Sequence, residues 1–283
     1  MLKIQQSSGN NPAYEEKFND LIQSVFGFSF APWIEYGLWD ENYESYSIIE
    51  DGVMLSNICV NKIDLLVQGE AVRAIQLGAI ATRESARGRG LSRLLMEHVL
   101  AKYPNTQAYL AANPSVAGFY QQFGFMQVQI SSPEIEVEID NDPATAVKYD
   151  FEDDEVMEAL KNRGAFSSII DCKNSQTIQM FHLLMEYDED IYYLPKLDVF
   201  VIARQEGDGL FLADVIAKKP VAFDMLVKEL PFAGVKEVEF GFCPDWLGVQ
   251  AEWTPLDMAE ELFFIKGEWN LPSQFRFPAL SET

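Results

Sequence analysis

Histidine, cysteine and positive charge are all scarce in this chain of 283 residues. Two histidines are too few for a histidine-based metal site, so we expect no metal cofactor. The three cysteines, Cys59, Cys172 and Cys243, are odd in number and far apart, which fits neither a disulfide framework nor a zinc site. Free cysteines of this kind are typical of the reducing cytoplasm.

Long apolar runs are missing as well. The sequence contains no stretch of about 18 apolar residues, so it predicts no transmembrane helix and no membrane partner. Its first residues, "MLKIQQSSGNNPAYEE", lack the apolar core of a secretory signal. We therefore expect a cytoplasmic protein.

The charge balance is strongly acidic, with 44 acidic residues against 21 basic ones and a formal net charge of −23. Such a charge repels the phosphates of nucleic acids, and we expect no nucleic-acid partner. It is compatible with attraction of a small cationic molecule. Acidity that serves only to keep the protein in solution remains an alternative, and the sequence leaves the oligomeric state open, a homo-oligomer included.

The hydrophobic pattern predicts an α/β (α+β) chain with a mixed central sheet flanked by helices. The predicted elements of the first half are a helix over 14–26, three strands within 46–83, a helix after Gly90, a strand over 106–113, a helix over 114–123 and a strand over 124–130. A strand–helix–strand order favours parallel pairing at the centre of the sheet. The aromatic segment 31–46 is irregular and is interpreted as a loop or short helices.

An acidic, turn-rich segment over 139–156 marks a boundary, after which a similar order of elements returns. The predicted elements are helices within 153–164 and 175–187, a hairpin over 198–218, a helix over 220–230, a strand over 235–242 and a strand over 261–269. We predict a first domain over 1–145 and a related second domain over 146–283.

The second domain lacks the most unusual stretch of the first, "RESARGRGLSR" at residues 83–93. Four of the chain's eight arginines lie there, at a predicted helix start, where the helix dipole disfavours cations. A bound polyanion would make them favourable. The alternative is solvated charge, paired with Glu84 and Glu97.

The glycines of this stretch match neither of two common phosphate loops. A P-loop requires Lys and Ser or Thr after its last glycine, but Leu91 and Ser92 follow Gly90. The dinucleotide motif G-x-G-x-x-G requires a third glycine at the position of Arg93. A loop whose backbone N–H groups surround a pyrophosphate at a helix N-terminus remains, and Gly88 and Gly90 suit it.

The segment "LGAIATRESARGRGLSRLLMEHVL", followed by "LAANPSVAGFYQQFGF", resembles the GNAT acyltransferases over residues 78–125. The resemblance implies the GNAT fold, acetyl-CoA as co-substrate and transfer of the acetyl group to an amine. The wider arrangement is similar to the Eis-type subgroup, which has a catalytic GNAT domain followed by a degenerate one.

The family loop, Q/R-x-x-G-x-G/A, corresponds to residues 85–90. Its first position is Ser85, which departs from the family and implies the loss of one phosphate contact. In the family, a strand before the loop supplies a backbone N–H to the acetyl carbonyl, and the pantetheine lies between strands that correspond to 75–82 and 106–112. The cofactor-binding residues implied in this way are Ala79, Ile80, Ala81, Arg87, Gly88, Arg89, Gly90, Leu91, Ser92 and Asn113.

Catalysis also requires an acid and a base. Tyr120 stands where the family often has the tyrosine that protonates the thiolate, although it also lies on an apolar helix face with Val116, Phe119 and Phe123. The open candidates for the base are Glu35, Asp40, Glu41, Glu44 and Glu70, each of which is also interpretable as a surface acid. In Eis-type enzymes the terminal carboxylate lies on a third domain, which we do not expect here, so Thr283 is a weak candidate.

The acceptor itself is suggested only by composition. Five aromatic residues interleaved with acids would suit a cation, and would suit core or loop packing equally well; they are Trp33, Tyr36, Trp39, Tyr43 and Tyr46. The leading hypothesis is acetylation of a primary amine on a small cationic molecule by direct attack on the thioester. The alternative is a non-catalytic acyl-CoA-binding sensor or interaction protein, motivated by Ser85 and the lack of an obvious base.

Overall fold

Two mixed β-sheets and their covering helices make up the protein, in a computed structural model that describes residues 3–142, 146–259 and 262–282. The α-helices in these residues are α1 (Pro12–Phe26), α2 (Ala31–Glu35), α3 (Leu91–Lys102), α4 (Ala117–Gln121), α5 (Asp154–Asn162), α6 (Gln176–Glu186) and α7 (Phe223–Val227).

The strands are interspersed with these helices along the chain. They are β1 (Ile4–Ser7), β2 (Tyr43–Glu50), β3 (Val53–Val67), β4 (Glu70–Thr82), β5 (Gln107–Ala112), β6 (Met126–Val128), β7 (Ser131–Asp140), β8 (Val147–Tyr149), β9 (Ile170–Lys173), β10 (Ile191–Leu194), β11 (Val199–Glu206), β12 (Gly209–Ile216), β13 (Ala233–Phe240), β14 (Glu252–Pro255) and β15 (Leu262–Lys266).

The first sheet has the order β1-β2-β3-β4-β5-β15-β6, and β9 pairs with the far end of β3. Consecutive strands β1 to β4 are antiparallel, whereas β4 and β5 are parallel, as the strand–helix–strand pattern predicts. The α3 helix connects β4 to β5 and covers one face of this sheet. The α1 and α6 helices pack in the core on the other face.

Two helices show how local sequence sets these elements. In α1 the Asn11 side chain caps the N-terminus, Pro12 occupies the first turn and Gly27 ends the helix in the left-handed region, with φ = +83°. In α3 the buried face differs from the predicted one: Leu94 is 38% exposed, and Met96 lies buried in its place beside Leu95. Leu94 therefore points to solvent although its residue type suits a core.

The predicted helix over 114–123 is shorter in the structure, because a 3₁₀ turn over Pro114–Val116 precedes α4. Val116 was expected on the apolar face, but it lies in this turn and is 44% exposed. Phe119 and Phe123 are partly buried against the core of the first sheet, as the pattern indicates.

The second sheet has the order β14-β7-β13-β12-β11-β10-β8. Its β12 and β13 are parallel and connected through α7, and the remaining pairs are antiparallel. This repeats the β4–α3–β5 unit of the first sheet. The chain is thus a tandem of two similar α/β units, as the order of elements predicts.

The two sheets exchange strands across the predicted boundary at 145/146. Strand β7 precedes that position but pairs with β13 and β14 of the second sheet. Conversely, β15 lies between β5 and β6 of the first sheet. The boundary itself stays a prediction.

Candidate functional site

Strands β4 and β5 pair over three residues each, in the middle of β4 and at the start of β5, and then separate. Their parallel register runs from Ala74↔Gln107 to Gln76↔Tyr109 and stops there. On its other side, β4 is irregular at the same level: the register with β3 shifts between Cys59↔Gly78 and Asn57↔Ala81, which leaves an extra residue in β4. The result is a cleft between the diverging ends of two parallel strands, with a bulge on one wall.

The bulge contains the predicted residues Ala79, Ile80 and Ala81. Ala79 has φ = +45°, in the left-handed region that residues with a Cβ rarely adopt. Its carbonyl oxygen accepts a hydrogen bond from Asn57 Nδ2 at 3.1 Å, and that of Ala81 accepts one from Ser56 Oγ at 3.0 Å. Side chains of β3 therefore hold the backbone of the bulge.

The glycine loop lies directly after this wall of the cleft. Gly88 and Gly90 have φ of +77° and +75°, and a methyl group on either Cα would meet no other atom within 4 Å. Gly90 is the N-cap of α3, which receives no side-chain cap and has no acidic residue in its first turn. The backbone here can approach an anion closely, and the helix N-terminus favours one.

Leu91 and Ser92 fix the start of α3 relative to the sheet. Leu91 is buried in the core. The hydroxyl of Ser92 lies 2.7 Å from that of Thr82, which in turn lies 2.8 Å from that of Ser56. This chain of hydroxyls joins β3, the end of β4 and the helix N-terminus. Ser92 thus already has a protein partner in this structure.

The four arginines are only partly compensated by acids. Arg83 pairs with Asp20 at 2.5 Å, Arg89 with Glu50 at 3.0 Å and Arg93 with Glu97 at 3.8 Å. Arg87 is exposed and donates to the Thr82 carbonyl at 3.4 Å.

The Arg93–Glu97 pair was the alternative expected from the sequence, but the predicted pairing with Glu84 does not form. Within the described part of the chain, Arg87 alone of the four has no acidic partner.

Asn113 lies at the end of β5, at the mouth of the cleft. Its side-chain oxygen accepts from the backbone N–H of Ser115 at 2.9 Å and from the Ser115 hydroxyl at 2.6 Å. The side chain therefore caps the turn that leads into α4. Its predicted role toward a cofactor stays a prediction.

Tyr120 is buried in α4, and its ring packs against Phe264 of β15 with 5.7 Å between centroids. Burial raises the pKa of Tyr120 to about 12, so the hydroxyl keeps its proton at neutral pH. This hydroxyl has no hydrogen-bond partner among the described residues. It is thus available to donate a proton, and its burial also fits the alternative of a core tyrosine.

The structure places two of the candidate bases, Glu70 and Glu44, away from the cleft. Glu70 begins β4, nine residues before Ala79, and about 30 Å of extended strand lie between them. Glu44 contacts Lys102 at the C-terminal end of α3, away from the glycine loop. Asp40 accepts from the backbone N–H of Asn42 at 2.8 Å, and Glu35 and Glu41 are exposed. Thr283 lies outside the described residues.

The aromatic segment forms a core rather than a cage for a cation. Trp33, Trp39 and Tyr43 are at most 5% exposed and pack together around Phe30. Tyr43 and Tyr46 lie in β2, so the segment is not a loop beyond residue 42. Tyr36 alone of the five is exposed, and its hydroxyl donates to Glu152 at 2.5 Å.

Sequence reasoning missed Asn57 and Ser45. Both are fully buried polar residues in strands, and Ser45 Oγ donates to Asn57 Oδ1 at 2.5 Å. The available signal was the recurrence of Asn57 and Asn61 on one face of the otherwise apolar β3, since buried polar side chains need specific partners.

The second sheet repeats the cleft, but the chain itself fills it. Strands β12 and β13 pair up to Leu212↔Phe240, and the register of β12 with β11 shifts just beyond that point. There the Ala279 N–H donates to the Gly241 carbonyl at 2.7 Å, and a Cβ on Gly241 would lie 3.0 Å from Cβ of Ala279. Among the described residues, the cleft in the first sheet is followed by a glycine loop, whereas the corresponding position in the second sheet is occupied by Ala279.

Membrane-spanning helices and metal-binding clusters are absent from the described residues. None of their helices combines the length and the apolarity that crossing a membrane requires. Within the same residues, no group of three or more His, Cys, Asp or Glu side chains is placed to hold a metal ion. A cytoplasmic location stays a prediction.

Residues 10–128 match the family model of the acetyltransferase (GNAT) domain. The matched range covers α1, the bulge of β4, the glycine loop, α3 and α4. No curated protein sequence matches the chain.

Solved structures similar to this chain share its fold at low sequence identity. Eis1 from Mycobacterium abscessus has a TM-score of 0.59 and 17% identity over 92% of this chain and 73% of its own. A probable N-acyltransferase from Enterococcus faecalis has a TM-score of 0.57 and 15% identity over 93% and 72%. A GCN5-related N-acetyltransferase from Kribbella flavida has a TM-score of 0.56 and 12% identity over 93% and 71%. The similarity extends through both sheets.

Proposed function

Because residues 10–128 match the acetyltransferase (GNAT) domain, we propose that the protein transfers an acetyl group from acetyl-CoA to a primary amine of a small cationic acceptor. The amine attacks the thioester directly. The observation that carries this proposal is the alignment of three features along one cleft: the diverging strands β4 and β5, the bulge at Ala79, and the open glycine loop at the start of α3.

Each feature suits one part of the co-substrate. The loop around Gly88 and Gly90 and the α3 N-terminus would bind the pyrophosphate through backbone N–H groups, and Arg87 would add a charge-assisted contact. The unpaired edges of β4 and β5 would hold the extended pantetheine. Ser85 in place of a longer side chain removes one side-chain contact with a phosphate, and the contacts made by the backbone are kept.

Acetyl transfer needs a donor for the negative charge that develops on the carbonyl oxygen, and a proton for the departing thiolate. The backbone N–H of Ile80 in the bulge would supply the first. Tyr120 would supply the second, because its hydroxyl is protonated and has no partner among the described residues. A thiol has an ordinary pKa of about 8.5, so proton transfer from the less acidic Tyr120 to the thiolate is unfavourable by itself. The proton released by the attacking amine must therefore return to the Tyr120 oxygen.

The charge of the chain supports a cationic acceptor. A net charge of −23 raises the local concentration of polyamines or other amines with several positive charges. Four of the five aromatic residues considered for this role are buried and cannot bind a cation, so the acceptor would be attracted by the net charge alone.

Isothermal titration calorimetry with acetyl-CoA and with CoA tests the binding step, and release of free thiol across a panel of amines tests the reaction. The panel should include spermidine, an aminoglycoside and a lysine peptide. We expect binding at one site per chain and thiol release with a polyamine or a similar cation. Lack of affinity for acetyl-CoA would reject the proposal, and binding without turnover of any amine would favour the non-catalytic acyl-CoA-binding alternative.

A further inference from the structure

Asn57 is fully buried in β3 and bridges the bulge to the strand on its other side. Its Nδ2 lies 3.1 Å from the Ala79 carbonyl oxygen, and its Oδ1 lies 2.5 Å from Ser45 Oγ. A carbonyl oxygen only accepts hydrogen bonds, so the amide NH₂ group must face Ala79. The orientation of the Asn57 side chain is therefore determined by its neighbours.

A third polar group completes the arrangement. Ser45 uses its proton toward Asn57, so the hydroxyl of Tyr14, 2.7 Å from Ser45 Oγ, must be the donor in that contact. Burial raises the pKa of Tyr14 to about 12, which keeps this donor protonated. Three hydrogen bonds thus run in one direction from α1, through β2 and β3, to the carbonyl of the bulge.

The carbonyl of Ala79 and the N–H of Ile80 belong to one planar peptide unit. In a trans peptide the two groups point in opposite directions, and no cis peptide occurs in the described chain. A hydrogen bond that fixes the carbonyl therefore also fixes the direction of the N–H. The same bond polarises the peptide and makes its N–H a stronger donor.

The left-handed conformation at Ala79 explains why a fixing contact is needed. A residue with a Cβ is strained at φ = +45°, so without support the peptide would tend to rotate into the ordinary strand geometry. Asn57 is the side chain that makes this contact.

We propose that Asn57 is a positioning residue that holds the Ala79–Ile80 peptide so that the Ile80 N–H is directed at the thioester carbonyl. This inference rests on the proposed acetyl transfer. Asn57 does not touch the acetyl group itself, and it acts through the backbone of the bulge.

The Asn57→Asp variant offers a direct test. It keeps an oxygen for Ser45 but loses the donor to Ala79 when the carboxyl is ionised, and regains a donor when the carboxyl is protonated. Burial raises the pKa of such a carboxyl. The ratio of its kcat to that of the wild type should therefore increase as pH falls, since protonation of the amine affects both enzymes equally.

The surroundings contain no other group that would mimic this pH dependence. The titratable side chains facing Asn57 are Tyr14 on α1, Tyr43 on β2 and Cys59 on β3. Burial raises the pKa of each, to about 11 for Cys59, so all three stay neutral at pH 6–8. Among the described residues, no carboxylate or cation forms a hydrogen bond with Asn57.

Asn61→Asp is the matched control. Asn61 lies on the same face of β3, is 5% exposed and donates to Gln76 Oε1 at 3.2 Å, without contacting the bulge. At pH 8 we expect kcat to fall by about 10- to 100-fold in Asn57→Asp, with acetyl-CoA affinity within about threefold of the wild type. Asn61→Asp should show neither the loss of kcat nor its recovery at lower pH.

A spectroscopic measurement separates this proposal from the identity of the acceptor. The infrared stretch of the carbonyl in bound [1-¹³C]acetyl-CoA should lie at lower frequency than in solution for the wild type and Asn61→Asp, and return toward the solution value in Asn57→Asp at pH 8. If Asn57→Asp does not fold, Ser45→Ala, which frees the Asn57 side chain, should shift the stretch in the same direction.

Equal frequencies in the wild type and Asn57→Asp at pH 8, or an unshifted wild-type carbonyl, would overturn the proposal. Because this readout needs no amine, it still decides the role of Asn57 if no acceptor in the panel is acetylated.

Discussion

The guanidinium of Arg89 and the carboxylate of Glu50 form two hydrogen bonds, with N–O distances of 3.0 and 3.1 Å. The pair connects the glycine loop to the end of β2. The hydrogen bond from Arg89 lowers the pKa of Glu50, which therefore remains ionised and competes with any other anion for the arginine. Arginines at this helix start thus differ in availability, and Arg87 is the most available of them.

Substitution of Arg87 should weaken acetyl-CoA binding more than substitution of Arg89. We expect Arg87→Ala to raise the Kd of acetyl-CoA about tenfold, because it removes a charge-assisted contact with a phosphate. Glu50→Gln should lower the Kd about twofold by releasing Arg89. Arg73→Ala, at an exposed Arg73–Asp64 pair near the opposite end of β4, is the control for a lost surface cation. Calorimetry that gives equal Kd values for Arg87→Ala and Arg73→Ala would contradict this assignment.

Gly90→Ala and Gly207→Ala form a matched pair of glycine substitutions. Both glycines have positive φ, +75° and +64°, and open space in front of Cα. Each variant should lose about 1 kcal/mol of unfolding free energy in urea, since alanine is strained there. Only Gly90→Ala should also weaken acetyl-CoA binding, by more than about tenfold, because its methyl group enters the proposed phosphate space. If Gly90→Ala and Gly207→Ala bind acetyl-CoA equally well, the phosphates do not lie at Gly90.

Tyr120→Phe separates catalysis from stability. The hydroxyl has no hydrogen-bond partner among the described residues, so the unfolding free energy should change by less than about 0.5 kcal/mol. If Tyr120 donates the proton, kcat should fall about 100-fold with little change in acetyl-CoA affinity. Tyr187→Phe removes the hydroxyl of another buried tyrosine, whose pKa burial also raises to about 12, and should have full activity. If Tyr120→Phe keeps the wild-type kcat, Tyr120 does not donate the proton and is a core residue.

Glu44 should contribute stability that depends on pH. Burial disfavours its charge, but hydrogen bonds from Lys62 and two tyrosines outweigh that cost and lower the pKa of Glu44 to about 2. Its pKa in the unfolded chain is about 4.3. The contribution is therefore complete above about pH 4.5 and is lost as pH falls toward 2.

At pH 7 we expect Glu44→Gln to lose about 2 kcal/mol in urea unfolding, a difference that shrinks below pH 4.5. Glu41→Gln, at an exposed neighbour, is the control. If the difference in unfolding free energy between the wild type and Glu44→Gln is the same at pH 7 and pH 3, ionisation of Glu44 is not its source.

Sequence reasoning succeeded where the signal is local. The spacing of Phe18, Leu21 and Ile22 predicts α1, and Gly88 and Gly90 predict the loop at the start of α3, because helix periodicity and positive φ are properties of a few adjacent residues. The tandem order of elements also follows from such local patterns.

Features that depend on distant partners could not be read in this way. The bulge falls at Ala79 rather than at a glycine, and its carbonyl oxygen accepts a hydrogen bond from Asn57, 22 residues earlier. Likewise, the sequence of β15 alone does not show whether this strand pairs in the second sheet or, as in the structure, with β5 of the first sheet. Non-local pairing of this kind is set by packing of the whole chain.

The position of β15 also has a consequence for synthesis on the ribosome. Among the described residues, β6 joins the first sheet only through β15, where Phe264 pairs with both Leu110 and Gln127. A nascent chain that has emerged only to residue 128 therefore presents an unpaired edge at β5, and its candidate cleft lacks the strand that packs against Tyr120. Such edges favour association with other chains. The first sheet thus acquires all of these strands only after translation has passed β15, and the edge of β5 stays unpaired until then.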